Sequence, residues 1–136
     1  MFQKGKKQNS SISQLDSAPI STVIGADIIF RGDITGGQTI KIDGQIFGNI
    51  EVENGIILGE KAVVNGNIKS ENIIIYGTII GNIESKELIL KSSGNITGDI
   101  DTQIVEIEMG GKYNGKLNMS PHLTISKKEA NESKLA

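Results

Sequence analysis

The side chains that most often carry chemistry are scarce in this 136-residue chain. It has no cysteine, which removes thiolate nucleophiles, thiolate metal sites and disulfides, and suits a reducing compartment. Its one histidine, His122, follows Pro121 and has no acidic partner at a fixed spacing. The Asp and Glu residues are scattered along positions that alternate with apolar ones, the pattern of a solvated face. Gly36-Gly37 and Gly110-Gly111 lack the following Lys-Ser/Thr and helix of a phosphate-binding loop. No catalytic, cofactor-binding or metal site is expected, and the chain is not expected to be an enzyme. What remains is the chemistry of surfaces: charge and apolar contact.

Charge divides the chain into three. Residues 1–20 are net +2, residues 21–120 net −5 and residues 121–136 net +1. An acidic middle argues against nucleic acid, whose phosphates need a basic face. The start, Met1-Phe2-Gln3-Lys4-Gly5-Lys6-Lys7, sets one aromatic beside three lysines. Met1, Phe2, Lys4, Lys6 and Lys7 could therefore meet a lipid surface, with Phe2 among the headgroups and the lysines on phosphates. No apolar run approaches the ~20 residues of a membrane span, and Met1–Ser13 lacks the apolar core of a secretory signal. The expectation is a cytoplasmic protein, peripheral on the inner face of the cell membrane.

The elements that position these surfaces follow from composition. Isoleucine occurs 25 times and glycine 17 times, against three Phe, two Tyr, two Pro and no Trp. β-Branched Ile suits a pleated strand, and glycine suits sharp corners. Sixteen of the glycines lie between Gly25 and Gly115. The flanks are instead rich in Ser, Gln and Asn (residues 8–17) or in Lys, Glu and Ser (residues 126–136). The organisation reads as a tail over 1–20, one β domain over 21–125 and a second tail over 126–136.

Within the domain a glycine flanked at −2 and +2 by large apolar residues recurs at Gly32, Gly48, Gly66, Gly81, Gly98 and Gly115. The spacings are 16, 18, 15, 17 and 17 residues. The flanking columns are Phe30, Ile46, Val64, Ile79, Ile96, Tyr113 and Ile34, Ile50, Ile68, Ile83, Ile100, Leu117. Two more columns precede each unit: Thr22, Ile40, Ile56, Ile73, Leu88, Val105, Leu123, and two residues later Ile24, Ile42, Leu58, Ile75, Leu90, Ile107, Ile125. The period of two marks strands, and no 3.6-residue period persists. A repeat of about 17 residues with several short strands is one coil of a β-solenoid, which buries its apolar face only by stacking on another coil. Six coils at the ~4.8 Å strand spacing make a rod of roughly 29 Å. Leu123–Ile125 look like the start of a seventh. The outward column Asp33, Asn49, Asn67, Asn82, Asp99, Lys116 is open to two readings, a ladder between coils or simply good turn residues, and the plainer expectation is the second.

At this point the sequence resembles the bactofilins, bacterial cytoskeletal proteins. The likeness covers roughly Thr22–Met119. It rests on Thr22-Val23-Ile24-Gly25, on the unit Ile42-Asp43-Gly44-Gln45-Ile46-Phe47-Gly48-Asn49-Ile50, and on the repeated Gly-Asn/Asp-Ile elements. It implies a single-stranded right-handed parallel β-helix of about six coils that polymerises end to end without nucleotide into non-polar filaments. It also implies membrane attachment through a Met-Phe plus Lys start. Such filaments act as scaffolds for cell shape, appendages or motility. Partners among cell-wall or motility proteins would then be met through the tails.

The alternative is a hexapeptide-type acyltransferase, a left-handed β-helix. That family repeats six residues strictly, giving 18 per coil, and usually sets a catalytic His within its coils; here the coil drifts and holds none. A solenoid that binds carbohydrate or ice would show flat Thr arrays, which are missing.

Two surfaces are expected to associate. Both solenoid ends are open β edges with a slice of apolar core, and neither flank has an obvious cap. The end residues expected to polymerise are Ile24, Ile28, Phe30 and Ile34 at one end and Tyr113, Leu117, Leu123 and Ile125 at the other. The second surface is an outward column that reads Val23, Lys41, Ile57, Ile74, Ile89, Glu106, Thr124. Ile57, Ile74 and Ile89 are expected to form an exposed apolar stripe for lateral association, unless a tail folds over it.

Overall fold

A computed structural model of the chain describes residues 20–119. The described chain is all β, with strands in parallel pairs throughout. The first coil is β1 (Ile20–Ile24), β2 (Ile29–Arg31) and β3 (Ile34–Gly36). The second is β4 (Thr39–Ile42), β5 (Gln45–Phe47) and β6 (Ile50–Val52). The third opens with β7 (Gly55–Leu58) and β8 (Val63–Asn65). From there the last strand of one coil runs straight into the first of the next, as β9 (Ile68–Ile75), β11 (Ile83–Leu90) and β13 (Ile100–Ile107). Between them lie β10 (Thr78–Ile80), β12 (Asn95–Thr97) and β14 (Lys112–Asn114), and β15 (Leu117–Asn118) follows.

The spacing irregularities all fall in corners. Gly36-Gly37-Gln38 and Glu53-Asn54 break the strand that is continuous in later coils. Extra residues between Ile24 and Phe30, Leu58 and Val64, Leu90 and Ile96, and Ile107 and Tyr113 form short turns, closed by bonds such as Ala62 N–H to the Gly59 carbonyl at 3.0 Å. The surrounding strands keep their register, so Ile79 pairs with both Val64 and Ile96. The four apolar columns make one continuous core, each column adding one aliphatic side chain per coil. Burying each is worth about 1.5–3 kcal/mol.

The glycines are dictated by the coil beneath. Gly81 has φ +149°, and a Cβ there would lie 2.0 Å from the Gly66 carbonyl oxygen of the preceding coil. Both conformation and space therefore exclude a side chain. A second small column, Gly44, Ala62, Gly77, Gly94 and Gly111, is tight at most levels, though Ala62 carries a methyl: a Cβ on Gly77 would reach the Gly59 oxygen at 2.4 Å.

The outward Asp/Asn column proves to be a ladder, not merely a set of turn residues. The Asp33 carboxylate accepts the Asn49 N–H at 2.9 Å, and the Asn49 side-chain oxygen accepts the Asn67 N–H at 3.0 Å. Asn67 accepts from Asn82 at 3.1 Å, Asn82 from Asp99 at 3.2 Å, and Asp99 from Lys116 at 3.3 Å. The reason is the parallel register: identical corners stack directly, so each side chain reaches the corner N–H one coil on.

The outer stripe needs a correction. Ile57 and Ile74 do face away from the core, in a cluster of their own with Tyr76 and Ile89 packed against them. They are not exposed, however: Ile57 is 4% and Ile74 3% accessible, and Ile89 is half-buried. The Tyr76 ring packs beside them, with the Lys91 ammonium 5.7 Å from its centre. Lys91 also bonds Glu108 at 3.2 Å, which holds its proton above the usual lysine range.

Two variants test these constraints. Gly81→Val should abolish the folded state, read as loss of the β signal in circular dichroism. Asn67→Ala should fold but lose about 1 kcal/mol in urea denaturation, the worth of a typical hydrogen bond.

Candidate polymerisation surfaces

The two ends of the rod differ from its middle in one respect: among the described residues nothing stacks on them. In the column Ile42, Leu58, Ile75, Leu90 every side chain is fully buried, yet Ile107, the last described member, is 45% exposed. Leu117 is 40% exposed, where Ile50, Ile68, Ile83 and Ile100 in its column are buried. Phe30 and Ile34 of the first coil and Val105 and Tyr113 of the last are half-buried against the core. Ile24 alone among the expected end residues is closed over. Thus the same columns that hold the rod together emerge at both ends as apolar slices.

Ile28 occupies the first-coil position of the small column. In later coils that position must be Gly or Ala, because its Cβ points along the axis at the coil before: on Gly44 it would strike the Gly25 and Ile28 oxygens, each at 2.4 Å. At the first coil the same direction leads out of the described rod, which permits an isoleucine, and Ile28 is exposed.

At the other end the Tyr113 hydroxyl donates to the Lys116 carbonyl, which fastens the ring across the corner. Burial, with the Asp99 charge adding, pushes its phenol above the usual tyrosine range. Lys116 stands in the ladder column but has no side-chain oxygen. The ladder therefore has no acceptor to offer a further coil.

The structure brings together Ile24, Ile28, Phe30 and Ile34 at one end and Tyr113 and Leu117 at the other. Leu123, Ile125 and His122 lie outside the described residues, as do Met1, Phe2, Lys4, Lys6 and Lys7. Sequence reasoning passed over Val105, Ile107, Met109 and Met119. Val105 and Ile107 already stood in the inward columns, but a seventh coil was expected to cover them. Met109 lies in a turn, where the alternation has no hold, and Met119 follows β15 in line with Thr102. The sides of the rod offer no comparable chemistry. Among the described residues no three His, Cys, Asp or Glu side chains could hold a metal ion. The groove between Glu51, Lys69, Glu84 and Asp101 mixes both signs, with Lys69 and Glu84 at 3.9 Å. No helix among the described residues is long and apolar enough to cross a membrane.

The described residues thus form a parallel solenoid whose core columns emerge as apolar slices at both ends. Residues 22–118 match the family described as "Bactofilin: Polymer-forming cytoskeletal". The chain belongs to the bactofilin family. It is 30% identical over 114 residues to bactofilin BacP of Myxococcus xanthus, covering 83% of this chain and 46% of that protein. It is likewise 30% identical over 100 residues to Myxococcus xanthus bactofilin BacO, covering 73% of this chain and 79% of that one. The chain thus spans about half the length of BacP. Among solved structures it resembles a Thermus thermophilus bactofilin reconstructed by cryo-EM as double helical filaments, with TM-score 0.70 and 24% identity, covering 73% of this chain and 99% of that one. It also resembles the cytoskeletal bactofilin BacA determined by solid-state NMR, with TM-score 0.68 and 27% identity, covering 76% and 98%.

Tyr113→Arg and Ile28→Arg should each leave a folded rod, with little change in thermal melting, that no longer pellets as polymer. Long filaments from either variant in negative stain would show that its residue is not at a joint. Alkali offers a separate check. A phenol whose pKa is raised in the folded state contributes stability below its ordinary value and loses it as pH rises through the raised one. The wild-type rod should therefore lose thermal stability above the ordinary tyrosine range, and the Tyr113→Phe rod less so.

Proposed function

We propose that this protein assembles end to end, without nucleotide, into a homopolymer that serves as a cytoskeletal scaffold on the inner face of the cell membrane. The observation that supports this reading most is the core cut open at both ends, where the residues that stack coil on coil lack a partner. Joining two rods continues the burial that already holds each rod together. Lys116 at the end of the ladder disfavours a head-to-tail joint, since the first coil of a following copy would find no acceptor there. Like-to-like contacts, and hence a filament without polarity, fit that better.

Membrane contact is assigned to Met1, Phe2, Lys4, Lys6 and Lys7. One such segment binds weakly, but a rigid polymer presents many and gains avidity. The segments flanking the domain are where cell-wall or motility proteins would attach, in support of cell shape, appendages or motility.

The decisive experiment is electron microscopy of the purified protein without nucleotide, where filaments are expected. A discrete soluble trimer would overturn the reading. Co-sedimentation with anionic liposomes should fall sharply when residues 2–7 are deleted; equal pelleting would remove the membrane role.

A further inference from the structure

The outer face of the first strand of each coil holds a contradiction. Strand alternation puts Thr39, Gly55 and Asn72 in one outward row and Lys41, Ile57 and Ile74 in the next, because Ile40, Ile56 and Ile73 and then Ile42, Leu58 and Ile75 point into the core. Yet Thr39, Gly55, Asn72, Ile57 and Ile74 are all buried. The same face is open at its ends, where Val23 and Glu106 are exposed. The burial is confined to β4, β7 and β9. Glycine flanks Ile57 on both sides of its own strand, at Gly55 and Gly59, so that strand supplies no wall of side chains. A groove of about 300 Å³ remains beside it, lined by Ile20, Lys41, Ile57, Gly59 and Tyr76.

We propose that residues 8–19 cross this face and close it, with Leu15 and Ile12 as the apolar contacts over Ile57 and Ile74. The point of entry supports this occupant. Ile20 pairs with Thr39, so the preceding residues arrive beside the most deeply buried row, and the Ile20 side chain already lines the groove. Reach supports it too. From β1 to β9 is three strand steps, about 14 Å. Five residues of extended chain, from Leu15 to Ile20, span roughly 17 Å. Leu15 and Ile12 are the large aliphatic residues in an otherwise small and polar stretch. The segment after residue 119 starts from the far end of the rod, past β11 and β13. In this arrangement the stripe is a seat for the chain's own segment, not a lateral contact between filaments. It fixes the side of the rod from which residues 1–7 depart.

The absence of cysteine makes the test direct. In the full chain, Leu15→Cys combined with Lys41→Cys should crosslink with a short bismaleimide, within one molecule. Leu15→Cys combined with Phe47→Cys, on the other sheet, should not. Mixing isotopically light and heavy chains separates intramolecular links from intermolecular ones. In a second arm, the thiol of Ile57→Cys should react with maleimide at least 10-fold faster when Ile12→Asp and Leu15→Asp are added. Links only between chains would make a second copy the occupant and overturn the proposal. So would equal crosslinking to positions 41 and 47, or a thiol at position 57 that reacts equally in both backgrounds. Neither arm needs the polymer, so a failure here is distinct from a failure to form filaments.

Discussion

Every coil of this protein has an apolar face that it cannot bury alone. That constraint runs through the whole molecule. Strands of two to eight residues pair only with the strands above and below, and the core is a set of aliphatic columns parallel to the axis. A narrow interior of this kind takes Ile, Leu and Val at every level, which accounts for the isoleucine excess and the scarcity of aromatics. It also sets the glycines. Stacking at strand distance brings the corner of one coil onto the carbonyl of the last, and Gly66 beneath Gly81 leaves no room for a Cβ.

Repetition makes the joints as well as the rod. A solenoid of identical coils has no natural last member. Ile107 and Leu117, exposed at the end of the described rod, stand in columns that are ordinary core in the coils before them. The Asn/Asp ladder shows how little distinguishes an internal contact from an end: the Asp99 N–H is satisfied by Asn82 and the Lys116 N–H by Asp99, but Lys116 has no side-chain oxygen to pass on. Ile28 is the converse case. Its position is forbidden to large residues wherever a coil lies beneath, so an isoleucine there marks the end of the stack.

Much of this architecture was legible from residue order. The inward columns needed only period-two alternation and a register of about 17 residues, because one in-register repeat fixes which side chains align. Corners were legible as the places where spacing wandered. The Asn ladder was underweighted because turn propensity and laddering favour the same residue. Only the observed N–H···O distances separate them. Ile107 was passed over because its column continues on to Ile125, which lies outside the described residues.

The sequence by itself determined the fold class, the inward columns, the glycine corners and the resemblance that led to the family, all of which depend on local period and residue size. Tertiary structure decided exposure. Alternation placed Ile57 and Ile74 on the outer face, correctly, but outward is not the same as exposed. Whether a side chain meets water depends on what lies over it. That is set by contacts between residues far apart in the chain, which no local pattern encodes.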